Sequence, residues 1–200
     1  RRYDSEASVD GAIRLLEQLI EAGSGSAIHH ATLVRAALRK QEYTQIPLWE
    51  GRAAQACQRA LELGPDVPEV HLAVGELKRA VGQYDAALSE AREAVRLAPY
   101  SALAYNNLIG ACRGSGRIAE ARTIATEAVR RGVDDRIIHA QLLYLALGDG
   151  DRASLDREIS WASADPMAML LTLRLRASAA MDSGRLLEAR RLWAETLKKA

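Results

Sequence analysis

Histidine is the side chain best suited to proton transfer or metal binding near neutral pH, and this 200-residue chain has four: His29, His30, His71 and His139. A zinc ion would need three or four ligands converging at about 2 Å. The spacing argues otherwise. His71 follows His30 by 41, and His139 follows His71 by 68. Those intervals are too long for one helix, and in the repeat units given below all three fall at the fourth position of a first helix, which sets them roughly 8–10 Å apart or more. They read as packing residues, with His29 an exposed neighbour. No G-x-S-x-G, H-E-x-x-H or phosphate-loop spacing occurs, and the pair Asp134–Asp135 falls where a helix cap belongs. No catalytic set, metal site or cofactor is expected.

The elements that hold these residues follow from a period. Val67 to Pro99 reads as two amphipathic helices around a turn at Gly82. Gly82, Gly116, Gly150 and Gly184 recur at a constant interval of 34. Ala87, Ala121, Leu155 and Ala189 keep the same interval, as do Ala94, Ala128, Ala162 and Thr196. A fixed period of helix–turn–helix units predicts a helical solenoid. The glycines allow the positive φ that ends a first helix, and the small residues allow close helix crossing.

At these residues the chain resembles the tetratricopeptide repeat (TPR) family. With Pro68 as first position, Gly75 falls at the family's eighth, Tyr84 at the seventeenth, Ala87 at the twentieth, Ala94 at the twenty-seventh and Pro99 at the thirty-second. Position eight departs to Ile109, Leu143 and Ala177 later on, and Val133 replaces the closing proline of the third unit. The resemblance implies an all-α, right-handed α-solenoid of about 11 helices in a single domain. Residues 1–8 read as a linker and 9–26 as an orphan repeat helix, with Val9 to Ala22 its helical part and GSGS its turn. The units are 27–67, 68–101, 102–135, 136–169 and 170–200. The first exceeds the period by seven. Its surplus in QEYTQIPLWEG is expected as a protruding loop carrying Tyr43, Pro47 and Trp49, either with Trp49 folded back on its own repeat or as a loop that contacts a partner. Asp165 and Pro166 should cap and open the helix of the last unit.

Composition bounds the rest. Hydrophobic residues make up 48% of the chain, aromatics 4%, and phenylalanine is absent, which suits helix–helix packing rather than a β-sandwich. The net charge of +1, with both signs interspersed, points to neither nucleic acid nor an anionic membrane. No apolar run approaches the roughly 20 residues of a membrane span. Cys57 and Cys112 are expected as buried free thiols. The chain opens RRYD without a signal h-region, so it is expected to be a fragment of something longer, and cytoplasmic, or periplasmic if a membrane span precedes it.

In the TPR family, six positions of each first helix face a concave groove. Mapped onto this sequence they give as candidate peptide-binding residues Arg35, Arg39, Glu76, Arg79, Asn106, Asn107, Arg113, Tyr144 and Arg174. Arginines there could hold carboxylates or carbonyls, and Asn107, at the family's groove asparagine, could pair with an extended backbone. Ala31, Glu69 and Ala73 lack the basic trio of the carboxylate-clamp subtype. The resemblance implies a non-enzymatic protein-interaction module for a protein or peptide partner, partly acidic. Two runs, LRKQEYTQIPLWEGRAAQACQRALELGPDVPEVHLAVGEL and ARTIATEAVRRGVDDRIIHAQLLYLALGDGDRASLDREISWASADP, are similar to repeat regions C-terminal to bacterial serine/threonine kinases and imply a regulatory or sensory arm. The alternatives are the sensor domain of a membrane-anchored transcriptional regulator, or a spacer that self-associates as a homodimer through terminal repeats around Trp193.

Overall fold

A computed structural model describes residues 5–199, with residue 199 as backbone alone. Its contacts form two compact units, divided between Arg117 and Ile118. The first holds α1 (Glu6–Leu19), a π turn (Ile20–Ser24), α2 (Ala27–Thr44), α3 (Leu48–Leu63), α4 (Pro68–Ala80), α5 (Tyr84–Leu97) and α6 (Ala102–Gly114). The second holds α7 (Ile118–Arg130), α8 (Arg136–Asp149), α9 (Arg152–Ala162), α10 (Pro166–Asp182) and α11 (Leu186–Lys199). Eleven α-helices and no strand are found among the described residues.

Within the first unit α2 packs on α1, α3 and α4, and α4 packs on α5 and α6. Alternate helices α2, α4 and α6 are therefore neighbours, as stacked helix pairs require. In the second unit α8 packs on α7, α9 and α10, and α10 on α11. The periodic glycines take the conformation that their spacing predicts: Gly82, Gly116, Gly150 and Gly184 have φ of 76°, 73°, 67° and 72°. A side chain at that φ costs about 1 kcal/mol or more. The periodic small residues are the crossing points. Ala53, Ala60, Ala87, Ala94, Ala121, Ala128, Ala162 and Ala189 are at most 2% exposed, so helices approach without intervening side chains. Ile109, Ile138, Leu143 and Leu173 fill the space between, each stabilising by about 1.5–3 kcal/mol through burial.

Two boundaries differ from the sequence expectation. The helix expected from Val9 starts at Glu6, because Ser5 and Ser8 form a reciprocal capping box that satisfies the first-turn amides. It ends at Leu19 rather than Ala22, where the π turn begins and runs through Gly23 at φ 76°. Residues 1–4 of the expected linker lie outside the described residues.

The protruding loop is also absent. The seven surplus residues are wound into helix: α2 has 18 residues against 13 in α4, and α3 has 16 against 14 in α5. Nothing in QEYT breaks a helix, so α2 runs on until Gln45, at φ 56°, turns the chain ahead of Pro47. Trp49 packs against the α2–α4 core, as expected. Its ring faces the Arg52 guanidinium at 4.9 Å and the Lys40 ammonium at 6.0 Å. Asp165 accepts from the Met167 amide at 2.9 Å ahead of Pro166, the cap that the sequence indicates. Cys57 and Cys112 are buried and form no disulfide, and burial pushes the Cys57 pKa up.

Candidate functional site

Three neighbouring helices of the first unit converge on one carboxylate. Glu76, on α4, is half-buried. The Arg35 guanidinium reaches it from α2 at 3.3 Å, and Asn107 donates from α6 to its Oε1 at 3.2 Å. The Asn107 amide also reaches the Leu72 carbonyl at 3.5 Å. Glu76, Arg79 and Asn107 line a narrow cleft floored by Leu72, Gly75 and Ala111. A Cβ added to Gly75 would lie 3.5 Å from the Ala87 carbonyl oxygen, which shows how closely α4 and α5 approach beneath it.

The structure thus brings together Arg35, Glu76, Arg79 and Asn107. Arg39 turns along its own helix to Glu42, at 2.8 Å. Asn106 and Arg113 are half-buried elsewhere on α6. Tyr144 and Arg174 belong to the second unit, both exposed, on the packed neighbours α8 and α10. The Arg35 guanidinium, an expected donor to a ligand carboxylate, is paired here with Glu76. The donors of this face therefore already converge on an internal acid.

The histidines hold the more demanding electrostatics. His139 on α8 is 9% exposed, with its ring stacked on Trp161 of α9 at 3.7 Å between centroids. Its Nδ1 faces Glu158 at 2.6 Å and its Nε2 faces Asp134 at 2.8 Å. An imidazole that donates to a carboxylate at both nitrogens carries two protons. Burial opposes that charge, but Glu158 and Asp134 outweigh it and raise the His139 pKa. His71 pairs with Glu90 at 2.8 Å. His30 is buried without a carboxylate, so burial, with Arg59 nearby, pushes its pKa down. His29 has a specific role: it completes the cap of α2, its Nδ1 meeting Ser26 at 3.2 Å and the Ser24 carbonyl at 3.1 Å. None of these sets can hold a metal ion, since no group of three suitable ligands converges among the described residues.

Sequence reasoning passed over the carboxylate partners, although a signal existed. Glu90 and Glu158 are separated by the same two periods as His71 and His139. It also passed over the clamp at Lys40, whose ammonium is held by Glu6 at 2.6 Å and Asp10 at 2.7 Å from α1, with Arg52 reaching Glu17 alongside. Glu6, Asp10 and Glu17 form one stripe of α1, so what reads as an orphan helix is tied to α2 and α3 by charge.

No protein-family model matches the sequence, and no curated protein does. Among solved structures the chain is similar to TTC0263, a thermophilic TPR protein of Thermus thermophilus. That match has a TM-score of 0.60 and 21% identity, covering 96% of this chain and 91% of that one. It is also similar to pilF of Pseudomonas aeruginosa, with a TM-score of 0.58 and 18% identity, covering 94% of this chain and 97% of that one. The fold is the all-α TPR-type solenoid. No helix among the described residues is long and apolar enough to cross a membrane.

Proposed function

We propose that the α2–α4–α6 face of the first unit docks an extended, partly acidic protein segment, and that the chain is a protein-interaction module without chemistry of its own. One observation supports this most directly: Glu76 bridges Arg35 and Asn107 from three adjacent helices. Donors that converge on an internal carboxylate are spaced for an external one. Glu76 then acts as a placeholder, keeping Arg35 and Asn107 ordered until a partner carboxylate or backbone carbonyl replaces it. Arg79, one turn along α4, lies at the mouth of the same cleft. Similarity of the two sequence runs to kinase-associated repeat regions supports placing the module as a regulatory or sensory arm that recruits a substrate or activator.

The test is a library of extended acidic and basic peptides screened against the chain, with Arg35→Ala and Asn107→Ala variants whose helicity is checked by circular dichroism. Enrichment of acidic segments, lost in both variants, is expected. Enrichment of basic segments, or binding that ignores both substitutions, would sink the proposal. Glu76→Gln should tighten acidic peptides by removing the internal competitor.

A further inference from the structure

We infer that the cavity walled by the end of α1 and by α3, with His30 of α2 at its base, binds a small organic carboxylate with a short aliphatic body. The reason lies in a repeated geometry. His71 on α4 and His139 on α8 each turn Nδ1 to a glutamate 19 residues on, Glu90 and Glu158, in the second helix of the pair. Counted through the seven-residue surplus, that place beside His30 is Ala56 of α3. A methyl group stands where the other two pairs carry a carboxylate. The ring is set the same way. Its Nε2 lies 3.4 Å from where a Cβ of Gly25 would be, as the His139 Nε2 lies toward Asp134. Nδ1 is thereby aimed to the α3 side, over Ala56. His30 is 8% exposed, and its ring makes no hydrogen bond among the described residues. A buried N–H without an acceptor is costly, so a ligand that brings one is favoured.

The space over Ala56 is a cavity of about 250 Å³, below the roughly 300 Å³ at which sites for drug-sized ligands begin. Ile20, Leu33 and Ala56 give it an apolar lining that suits a short branched chain. Its walls and floor belong to helices already packed together, α1 on α2 and α2 on α3. The cavity is therefore a feature within the stack and not an uncovered end. Two guanidiniums line it. Arg52 is committed to Glu17 and to the Trp49 ring. Arg59, one turn on from Ala56, is paired with Glu62 of its own helix at 2.8 Å, both exposed. A surface pair of that kind contributes little and exchanges readily. Burial first, and then the Arg59 charge, disfavour a protonated His30. The same positive charge favours an anion over the ring. Glu21 of the π turn is exposed at the rim, where water and salt screen it from the base.

The test titrates isocaproate into the full chain, with isocaproamide as the uncharged control, and reads the histidine ring Cε1 protons by NMR. Isocaproate should shift the His30 signal saturably and lift its pKa from the lowered position, as an anion at hydrogen-bond distance does. The His71 and His139 signals should stay in place, and the amide should leave all of them unmoved. Arg59→Gln should weaken binding about tenfold. Ala56→Glu supplies the acid that the other pairs carry. It should raise the His30 pKa without any probe and abolish the response to isocaproate. Circular dichroism checks both variants for intact helices. The inference is overturned by absence of a saturable shift in the millimolar range, by an equal response to the amide, or by isocaproate binding that survives Ala56→Glu. Arg35 and Asn107 play no part in this cavity, so its failure and that of the first-unit face are read separately.

Discussion

His30 and His139 occupy one repeat position in different units, and their surroundings are opposite. Around His139 stand Asp134 shortly before it, Glu158 on the facing helix and Trp161 one turn further. The matching positions around His30, allowing for the seven-residue surplus, are Gly25, Ala56 and Arg59. A Cβ on Gly25 would lie 3.4 Å from the His30 Nε2, so the backbone offers His30 the place from which Asp134 serves His139. One scaffold position thus gives a neutral, packed imidazole or a charged, clamped one. The local acids decide which. The first unit puts its buried cation elsewhere, on Lys40 between Asp10 and Glu6, which hold its ammonium pKa above the usual lysine range.

The largest expected effect breaks the second-unit centre. His139→Ala strips the partner from Glu158, whose side chain is only 12% exposed, and removes the Trp161 stack. Stranding a carboxylate in that setting should cost the second unit about 2–4 kcal/mol. His30→Ala leaves a void but no stranded charge, so about 1–2 kcal/mol is expected in the first unit. Urea unfolding followed by unit-resolved hydrogen exchange separates the two losses. Equal losses would show that packing volume, and not charge pairing, governs the position.

Next in size is the counterpart at Lys40. Lys40→Met keeps the stem against Trp49 and removes the charge that Glu6 and Asp10 hold. The amides of α1 should exchange faster while those of α4 and α5 stay protected. Unchanged α1 protection would mean that Val9, Ile13 and Leu16, all buried, hold the helix without the ion pairs.

pH should drive the two histidine centres in opposite directions. The folded pKa of His139 is raised, so its contribution is complete below the unfolded imidazole pKa of about 6.5. That contribution fades as pH rises through the folded value. The folded pKa of His30 is lowered, so its contribution is present above about 6.5 and fades as pH falls through the folded value. Moving from mildly acidic to mildly alkaline conditions should loosen the α8–α9 pair and tighten α2 against α3. Amide exchange across that window reads both, and a common direction for the two units would contradict the assignment of charge states.

Much of this was legible in the sequence, for a physical reason. A fixed period constrains backbone geometry at every repeat, so the turn glycines and crossing alanines announce themselves. Helix ends and pairings were less legible. Ser5–Ser8 and Ser26–His29 cap their helices through side-chain contacts that no periodicity reveals. The surplus around Tyr43 looked like a loop because a fixed period was assumed for helix length, whereas helix lengthening on both sides of the turn absorbs it. Arg35, Glu76 and Asn107 do lie on the neighbouring helices α2, α4 and α6. Their convergence on Glu76 was not visible, because it depends on side-chain reach across helices far apart in the chain.

The smallest effect offers the sharpest comparison, because it tries to convert one centre into the other. Gly25 has φ −69° and ψ 116°, a conformation open to any residue, so Gly25→Asp introduces no backbone strain. Its Cβ would also meet the Ile20 Cα and Cγ1, both at 3.4 Å, so the backbone of the π turn as well as a side chain borders the new group at the near edge of ordinary contact. The new carboxylate would face the His30 Nε2 as Asp134 faces that of His139, and should lift the His30 pKa from its lowered position. Titrating the ring Cε1 proton by NMR gives the answer directly. A rise shows that acids at that position select the charge state of a shared scaffold site. A pKa that stays low shows that burial and Arg59 dominate it, and that the second unit needs Glu158 as well as Asp134 to hold its imidazolium.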